Sequence, residues 1–141
     1  INYKMATRAS IKFKDSDGKF LANVYHHYDG YPSGLGAKLL ELTDGVVVNG
    51  LGRGEQLGKR VFNGFGCLAA SVIEGLKGGK PGNVYLYSES EYGNAGEDYL
   101  YEVVESKNGC NVFVKHADIG FIHHYGDKFV PVEDVLETEN K

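Results

Sequence analysis

Two short segments of the chain concentrate the side chains that could do chemistry. The first, residues 25–36, reads YHHYDGYPSGLG, and the second, residues 121–127, reads FIHHYGD. Each segment holds a histidine pair, a tyrosine and an aspartate, and together they contain four of the five histidines. Imidazole and carboxylate groups can serve in acid–base catalysis, metal binding or hydrogen bonding to a ligand. The elements that position the two segments decide between these roles.

The N-terminal part of the chain predicts a β-hairpin. Apolar and polar residues alternate over 9–14, Asp15–Gly18 has the composition of a turn, and the alternation resumes over 20–28. Because neighbouring side chains of a strand point to opposite faces of the sheet, His27 shares a face with Asp29 and not with His26.

A rigid junction is predicted where this hairpin ends. Gly30 to Pro32 break the strand, and Ser33 has the right chemistry to cap a short helix that runs to Thr43. The start of such a helix would present unpaired backbone N–H groups to an anion. A longer helix is predicted over 65–77, terminated by Gly78.

The rest of the chain predicts a β-meander with strands at 84–88, 99–105 and 111–116. We therefore expect an α+β fold, in which an antiparallel sheet made of the N-terminal hairpin and the C-terminal meander packs with two helices from the middle of the chain. Residues 5–131 are expected to form this single domain, and residues 132–141 an acidic, mobile tail.

Tyrosines alternate on two of the predicted strands of the meander. Tyr85 and Tyr87 share a face of one strand, and Tyr99 and Tyr101 share a face of the next. Two interpretations stay open. The rings can pack across the strands and stiffen the sheet, or they can offer a platform on which a nucleobase stacks.

Cations cluster around the glycine-rich segment of residues 49–54. Its glycines fit neither the dinucleotide fingerprint nor a P-loop. Arg53, Lys59 and Arg60 surround it, and arginine's planar fork suits phosphate recognition, although a solvated helix face would have the same composition.

The sequence contains no residue pattern that identifies an enzyme. His27, Asp29 and His124 could meet at a metal ion, but the spacing is not that of a known site, and we expect no bound metal and no other cofactor. There is no G-x-S-x-G nucleophile motif, so no catalytic residue is assigned. Cys67 and Cys110 lack a C-x-x-C partner; a cytosolic context favours free thiols, and a disulfide between them is the alternative.

Composition excludes two classes of partner. The 141 residues carry a net charge of −4, whereas a non-specific DNA or RNA binder needs an excess of cations. No apolar run approaches the roughly 20 residues needed to cross a bilayer, so we expect a protein that does not enter a membrane.

The N-terminal quarter of the chain resembles small proteins encoded by bacteriophages and prophages. The shared features are a Met-Ala-Thr-Arg start at Met5 to Arg8, an alternating strand, and the element Y-x-H-x-D-G-Y-P-x-G-x-G at residues 25–36. In size and α+β type the chain is also similar to the Thoeris anti-defence proteins. That resemblance implies a protein of the host bacterial cytosol that sequesters a cyclic ADP-ribose-like or cyclic oligonucleotide signal and so counters host immunity.

We therefore expect a non-catalytic binder of a small nucleotide-like ligand that acts as a homo-oligomer, since a second copy could complete a deep pocket. The alternatives are a hydrolase of such a ligand that uses His and Asp, and a protein inhibitor or virion-associated structural protein. The predicted ligand-binding residues are Arg8, His27, Asp29, Tyr31, Arg53, Arg60, Tyr85, Tyr87, Tyr99, Tyr101 and His124.

Overall fold

The computed structural model describes residues 6–50, 60–117 and 128–139 and confirms the α+β class. In chain order the elements are β1 (Ala9–Lys14), β2 (Phe20–His26), a π-helical turn (Pro32–Gly36), α1 (Ala37–Thr43), β3 (Val46–Val48), β4 (Val61–Asn63), α2 (Phe65–Lys77), β5 (Val84–Tyr87), a 3₁₀ turn (Glu89–Glu91), β6 (Tyr99–Ser106), β7 (Gly109–His116), β8 (Val130–Pro131) and α3 (Val132–Glu139).

The main sheet has six strands in the order β5-β2-β1-β6-β7-β8 over the described ranges. The β1–β6 pair is parallel and the other pairs are antiparallel. The predicted hairpin is confirmed as β1–β2. Of the predicted meander, β6 and β7 pair antiparallel as expected, but β5 does not join them. β5 lies at the far edge, paired with β2, because β6 takes the place beside β1. A separate small sheet pairs β3 with β4 in parallel.

The core lies on one face of the main sheet, which we call the inner face. The alternation predicted for β1 is confirmed, since Ile11 and Phe13 are fully buried and belong to the core. Ile11 is paired with Val24 on one side and with Tyr101 on the other. Residues of all three helices, including Leu39, Leu68 and Val132, complete the same apolar cluster, so the helices cover the inner face; these residues are buried to 0% exposure.

The helices end where the sequence predicted. α1 ends at Thr43, and α2 ends at Lys77, where Gly78 takes the left-handed conformation at φ 57°. The start of the first helix differs from the prediction. Ser33 is not a cap, because Pro32 opens a π-helical turn after an extended Tyr31 and no side chain caps it.

The C-terminal residues contribute to the core. In α3, Val132 and Val135 are buried. Val132 packs closely against Gly36, since a Cβ on this glycine would lie only 3.0 Å from the Val132 Cγ1 atom. Val132 and Val135 belong to the core cluster and Leu136 packs against it, within the segment that we expected to be a tail. Within the described ranges no helix combines the length and apolar character of a membrane span.

Replacing Gly30 tests how tightly this fold is packed. A Cβ at Gly30 would lie 2.8 Å from both the Ala9 Cβ atom and the Thr7 carbonyl oxygen. We expect Gly30→Ala to lower the free energy of unfolding by about 1–3 kcal/mol or more, as overpacking does. Urea unfolding followed by circular dichroism measures it.

Gly66 provides the matched control. It lies in α2, and a Cβ there meets nothing within 4 Å. Gly66→Ala should leave the free energy of unfolding unchanged or raise it by up to about 1 kcal/mol, because alanine favours the helix. Equal effects at the two glycines would contradict the packing that we describe.

Candidate functional site

The segment Asp29–Gly36, which we call the corner, is rigid. Asp29 is left-handed at φ 59°, and its carbonyl oxygen accepts a hydrogen bond of 2.9 Å from the Leu35 N–H. The Gly30 N–H donates to the Thr7 carbonyl and the Gly34 N–H to the Tyr31 carbonyl, both at 2.9 Å. The rigid junction predicted from the sequence is therefore present. The N–H groups of Gly34 and Leu35, which we expected to meet an anion, are already used.

Gly34 of the motif has no room for a side chain. A Cβ on Gly34 would lie 2.6 Å from the carbonyl oxygen of Asp29 and 2.8 Å from the ring of Tyr31. Neither neighbour has room to withdraw, because the same carbonyl accepts the Leu35 hydrogen bond. The backbone path of the corner thus accounts for Gly34 of the D-G-Y-P-x-G-x-G pattern.

Tyr101 anchors the corner to the sheet. Its side chain is fully buried on the inner face, and its hydroxyl donates a 2.7 Å hydrogen bond to the carbonyl of Gly30. Tyr99 lies on the same face, with its ring centroid 4.2 Å from that of His116. Because β2 and β1 separate β5 from β6, the idea of a four-tyrosine platform on adjacent strands is wrong. Tyr101 has no exposed surface for a ligand.

The other two predicted tyrosines lie on the opposite, outer face of the sheet. There Tyr25, His27, Tyr85 and Tyr87 form a cluster that we call the aromatic face. The rings of Tyr25 and Tyr87 are stacked, with centroids 5.0 Å apart and planes inclined by 12°. The Tyr25 ring centroid lies 6.2 Å from that of Tyr85 and 5.8 Å from that of His27. Tyr25 is buried beneath the others, whereas Tyr85 is 46% exposed.

Arg8 borders the aromatic face. Burial raises the pKa of the Tyr25 hydroxyl, and the positive charge of Arg8 acts in the opposite direction. Arg8 lies two residues before Ser10, the cross-strand partner of Tyr25. Arg8 is itself exposed, and a Cβ on Gly96 would come within 3.0 Å of its guanidinium NH1 nitrogen. A stacking surface and a cation therefore adjoin on the outer face.

The segment 88–98 covers the neighbouring part of the outer face. The buried carboxylate of Glu97 accepts hydrogen bonds from the Ser10 hydroxyl at 2.7 Å and from the N–H groups of Gly93 and Ala95 at 2.8 Å. The adjacent Asp98 accepts a 2.9 Å hydrogen bond from the Arg8 N–H. These bonds hold the segment beside Arg8. On the aromatic face the Lys77 Nζ atom lies 5.6 Å from the centroid of the Tyr85 ring, which stays 46% exposed.

His27 and Asp29 do not form the pair that a His–Asp hydrolase would need. The Nδ1 atom of His27 is hydrogen bonded to the hydroxyl of Tyr25 at 2.8 Å. The carboxylate of Asp29 instead accepts a hydrogen bond from the hydroxyl of Tyr31 at 3.3 Å. Tyr31 is exposed at the corner. The two predicted residues thus belong to different hydrogen-bonded groups.

A cavity of about 320 Å³ lies on the inner side of the sheet edge, and we call it the His26 cavity. β2 contributes His26, and the corner and α1 contribute polar side chains, Asp29 and Lys38. The cavity is completed by Asn83, which precedes β5, and by apolar or small residues, the lining being His26, Asp29, Gly34, Leu35, Lys38, Gly75, Leu76 and Asn83.

His26 is the buried titratable group of this cavity. Its side chain is 8% exposed, and its Nδ1 atom has no hydrogen-bond partner in the described part of the chain. Burial lowers the pKa of the imidazole, while the backbone of Tyr28 and the charge of Asp29 oppose that effect. His26 is therefore biased toward its neutral form.

The remaining predicted residues lie elsewhere. Arg60 is exposed beside other grooves, and its guanidinium donates to the Leu42 carbonyl at 2.9 Å, away from the aromatic face. Arg53 and His124 lie outside the described residues. Among the residues that the structure describes, no three His, Cys, Asp or Glu side chains are grouped as metal ligands, and Cys67 and Cys110 are free thiols.

Comparison with protein-family models, with curated proteins and with solved structures finds no significant match to the chain. Function therefore has to be argued from the geometry of the chain itself.

Sequence reasoning missed four residues of these two sites. Tyr25 and His26 stood within the quoted motif, and the alternation of β2 already placed them on opposite faces. Tyr25 shares the face of His27, and its direct cross-strand partner is Tyr85. Lys38 and Asn83 carried no signal in the sequence, because their relation to His26 depends on how β5 and α1 meet β2.

The lowered pKa of His26 predicts a pH dependence of stability. Below the ordinary histidine pKa of about 6.5 the unfolded chain takes up a proton that the folded chain resists. The contribution of neutral His26 to the free energy of unfolding is therefore complete above that pH and is lost as the pH falls.

His26→Gln removes this contribution. Urea unfolding of both proteins at about pH 7.5 and about pH 5.5 should show a larger acid-induced loss for the natural chain than for the variant. Parallel losses would mean that His26 titrates as it does in the unfolded chain.

Proposed function

We propose that the protein binds a small nucleotide-derived molecule and holds it without chemical change. The observation that carries this proposal is the partly exposed aromatic face with the exposed Arg8 two residues before Ser10, the cross-strand partner of Tyr25. Of the predicted ligand-binding residues, Arg8, His27, Tyr85 and Tyr87 lie together there, which is the combination that a base and a phosphate require.

The base would stack on the aromatic face. Tyr85 and Tyr87 lie on β5 above the buried ring of Tyr25, so their positions are fixed before a ligand arrives. Stacking a nucleobase on an aromatic side chain contributes about 1–3 kcal/mol and tolerates different bases. Rings that are already ordered lose little conformational entropy on binding.

The phosphate would meet Arg8. An arginine fork makes charge-assisted hydrogen bonds to phosphate oxygens. The overall charge of −4 opposes binding of a long polyanion, which depends on many cations and released counterions. A small ligand with one or a few phosphates fits this balance better than DNA or RNA.

Binding without catalysis is supported by the separation of His27 and Asp29, each of which is hydrogen bonded to a different tyrosine. The resemblance to phage-encoded proteins supports a biological setting in which the bound molecule is an immune signal of the host, removed by sequestration. Self-association in the bacterial cytosol belongs to the same proposal.

Ligand recovery tests the proposal. The purified chain should show a raised melting temperature with cyclic ADP-ribose or a cyclic dinucleotide, and mass spectrometry after heat denaturation should return that molecule intact. Sedimentation of the same samples measures self-association. Recovery of a cleaved product would replace the binder with the hydrolase, and no binding of any such ligand would reject both.

Two substitutions on one strand locate the site. Tyr85→Ala should weaken binding about 5- to 100-fold, because one stacking partner is lost. Leu86→Ala is the matched control, since Leu86 is the next residue of β5, points to the other face and is 70% exposed. Isothermal titration gives both affinities, and equal weakening would place the ligand away from the aromatic face.

A further inference from the structure

The His26 cavity is a second site at the same end of β2, on the other side of the sheet. His26 and His27 are consecutive, so one imidazole reaches the cavity while the next lies on the aromatic face. The cavity volume of about 320 Å³ is at the lower end of the range for small-molecule sites. It is large enough for one part of a nucleotide and not for a whole dinucleotide.

A buried polar atom in this cavity calls for a partner. The Nδ1 atom of His26 is screened from solvent and has no hydrogen-bond partner among the described residues. Leaving such an atom unpaired costs about 1–3 kcal/mol, so native proteins retain few of them. An exogenous hydroxyl group, which both donates and accepts, could supply the missing bond once the imidazole ring turns its Nδ1 atom toward the cavity.

The other polar groups form a mixed set around the same space. Asp29 offers carboxylate oxygens as acceptors, and Lys38 offers an ammonium donor that also contacts the Glu41 carboxylate at 3.5 Å. Asn83 accepts the Tyr28 N–H through its Oδ1 atom at 3.0 Å, which leaves its Nδ2 atom as a donor. Leu35 and Leu76 supply apolar wall.

From this arrangement we infer that the His26 cavity binds the vicinal diol of a ribose. A carboxylate is the group that nucleotide-binding folds place on ribose hydroxyls. Asn83 and Lys38 donate to the same hydroxyl oxygens, and Leu35 and Leu76 cover the C–H face of the sugar. Once the imidazole ring of His26 turns toward the cavity, its Nδ1 atom bonds the second hydroxyl.

Two other parts of a nucleotide fit less well. A phosphate would be repelled by the Asp29 carboxylate, which is not neutralised by an ion pair in the described part of the chain. A base prefers an aromatic partner, and the cavity lining contains no Phe, Tyr or Trp. The aromatic rings at this sheet edge lie on the outer face instead.

For its natural ligand this inference rests on the proposed function, since ribose is the part that nucleotide-derived signals share. The test is kept separate by using a probe without base or phosphate. Methyl β-D-ribofuranoside carries the diol, and its 2-deoxy analogue lacks it. Two-dimensional NMR of the full chain at millimolar sugar detects weak binding.

We expect the ribofuranoside, and not the 2-deoxy analogue, to shift the imidazole signals of His26 and the amide signals of Asp29 and Gly34. Asp29→Asn should weaken this binding about tenfold or more, because a charge-assisted acceptor is lost. Asparagine tolerates the left-handed φ of 59°, so the corner keeps its path. Glu74→Gln, an equal change of charge on α2 next to the lining residue Gly75, should have no effect.

Three results would overturn the inference. They are no shifts at the cavity, equal shifts with both sugars, or unchanged binding by Asp29→Asn. Tyr85→Ala must leave the sugar affinity unaltered, because Tyr85 does not line the cavity; a loss there would also overturn it. If the sugar binds while cyclic nucleotides do not, the proposed function fails and the sugar site stands.

Discussion

A buried hydrogen bond from the Tyr101 hydroxyl to the Gly30 carbonyl holds the corner against the middle of the main sheet. It joins residues 71 positions apart at 2.7 Å, from β6 to the end of the first hairpin. Gly30 can lie against the chain at the start of β1 because it has no Cβ; a Cβ there would come within 2.8 Å of the Ala9 Cβ atom and of the Thr7 carbonyl oxygen. The path of Asp29 and the start of α1 depend on this contact. The corner residues that line the His26 cavity, Asp29, Gly34 and Leu35, therefore depend on a residue of β6.

Strand geometry then divides the histidine pair. His26 is paired with Ala9 and Val84 on the inner side, while Tyr25 is paired with Ser10 and Tyr85. A shift of one residue in this register would exchange the two faces, bringing an imidazole into the place of a tyrosine. The correct register is fixed by the apolar residues of β1 and β2, whose burial sets which face meets the helices. The core thus decides what chemistry each face presents.

Local signals in the sequence were enough for several elements and for the fold class. The bounds of α2 follow from its apolar spacing and from Gly78, and the hairpin follows from the alternation around the turn at 15–18. Strand order could not be obtained in this way. The residues near Val84 and Tyr99 do not indicate that β5 pairs with β2 and β6 with β1. Strand pairing depends on which strand edges of the hairpin are still unpaired when the rest of the chain packs. That error carried Tyr99 and Tyr101 into the predicted site.

The same limit applied to the cap and to the cavity. Ser33 has the chemistry of a cap, yet Pro32 and the contact of Gly34 with the Asp29 carbonyl impose a π-helical turn before α1. Lys38 and Asn83 reach the His26 cavity only through the meeting of separate elements. The conformational propensity of a residue depends on its sequence neighbours, whereas a binding site forms where separate elements pack together.

The edge position of β5 raises the question of how four residues can hold a rigid surface. Both ends of the strand are fastened by side chains. Before β5, the Lys77 ammonium donates to the carbonyls of Gly82 and Val84 at 3.1 and 3.0 Å. After it, the Asn23 amide donates to the Ser88 carbonyl at 2.9 Å. Because these bonds order the backbone before any ligand arrives, the stacked rings on β5 can offer their surface without a large entropic cost. Edge strands are normally among the less stable parts of a sheet. With both of its ends held in this way, β5 is suited to binding a ligand.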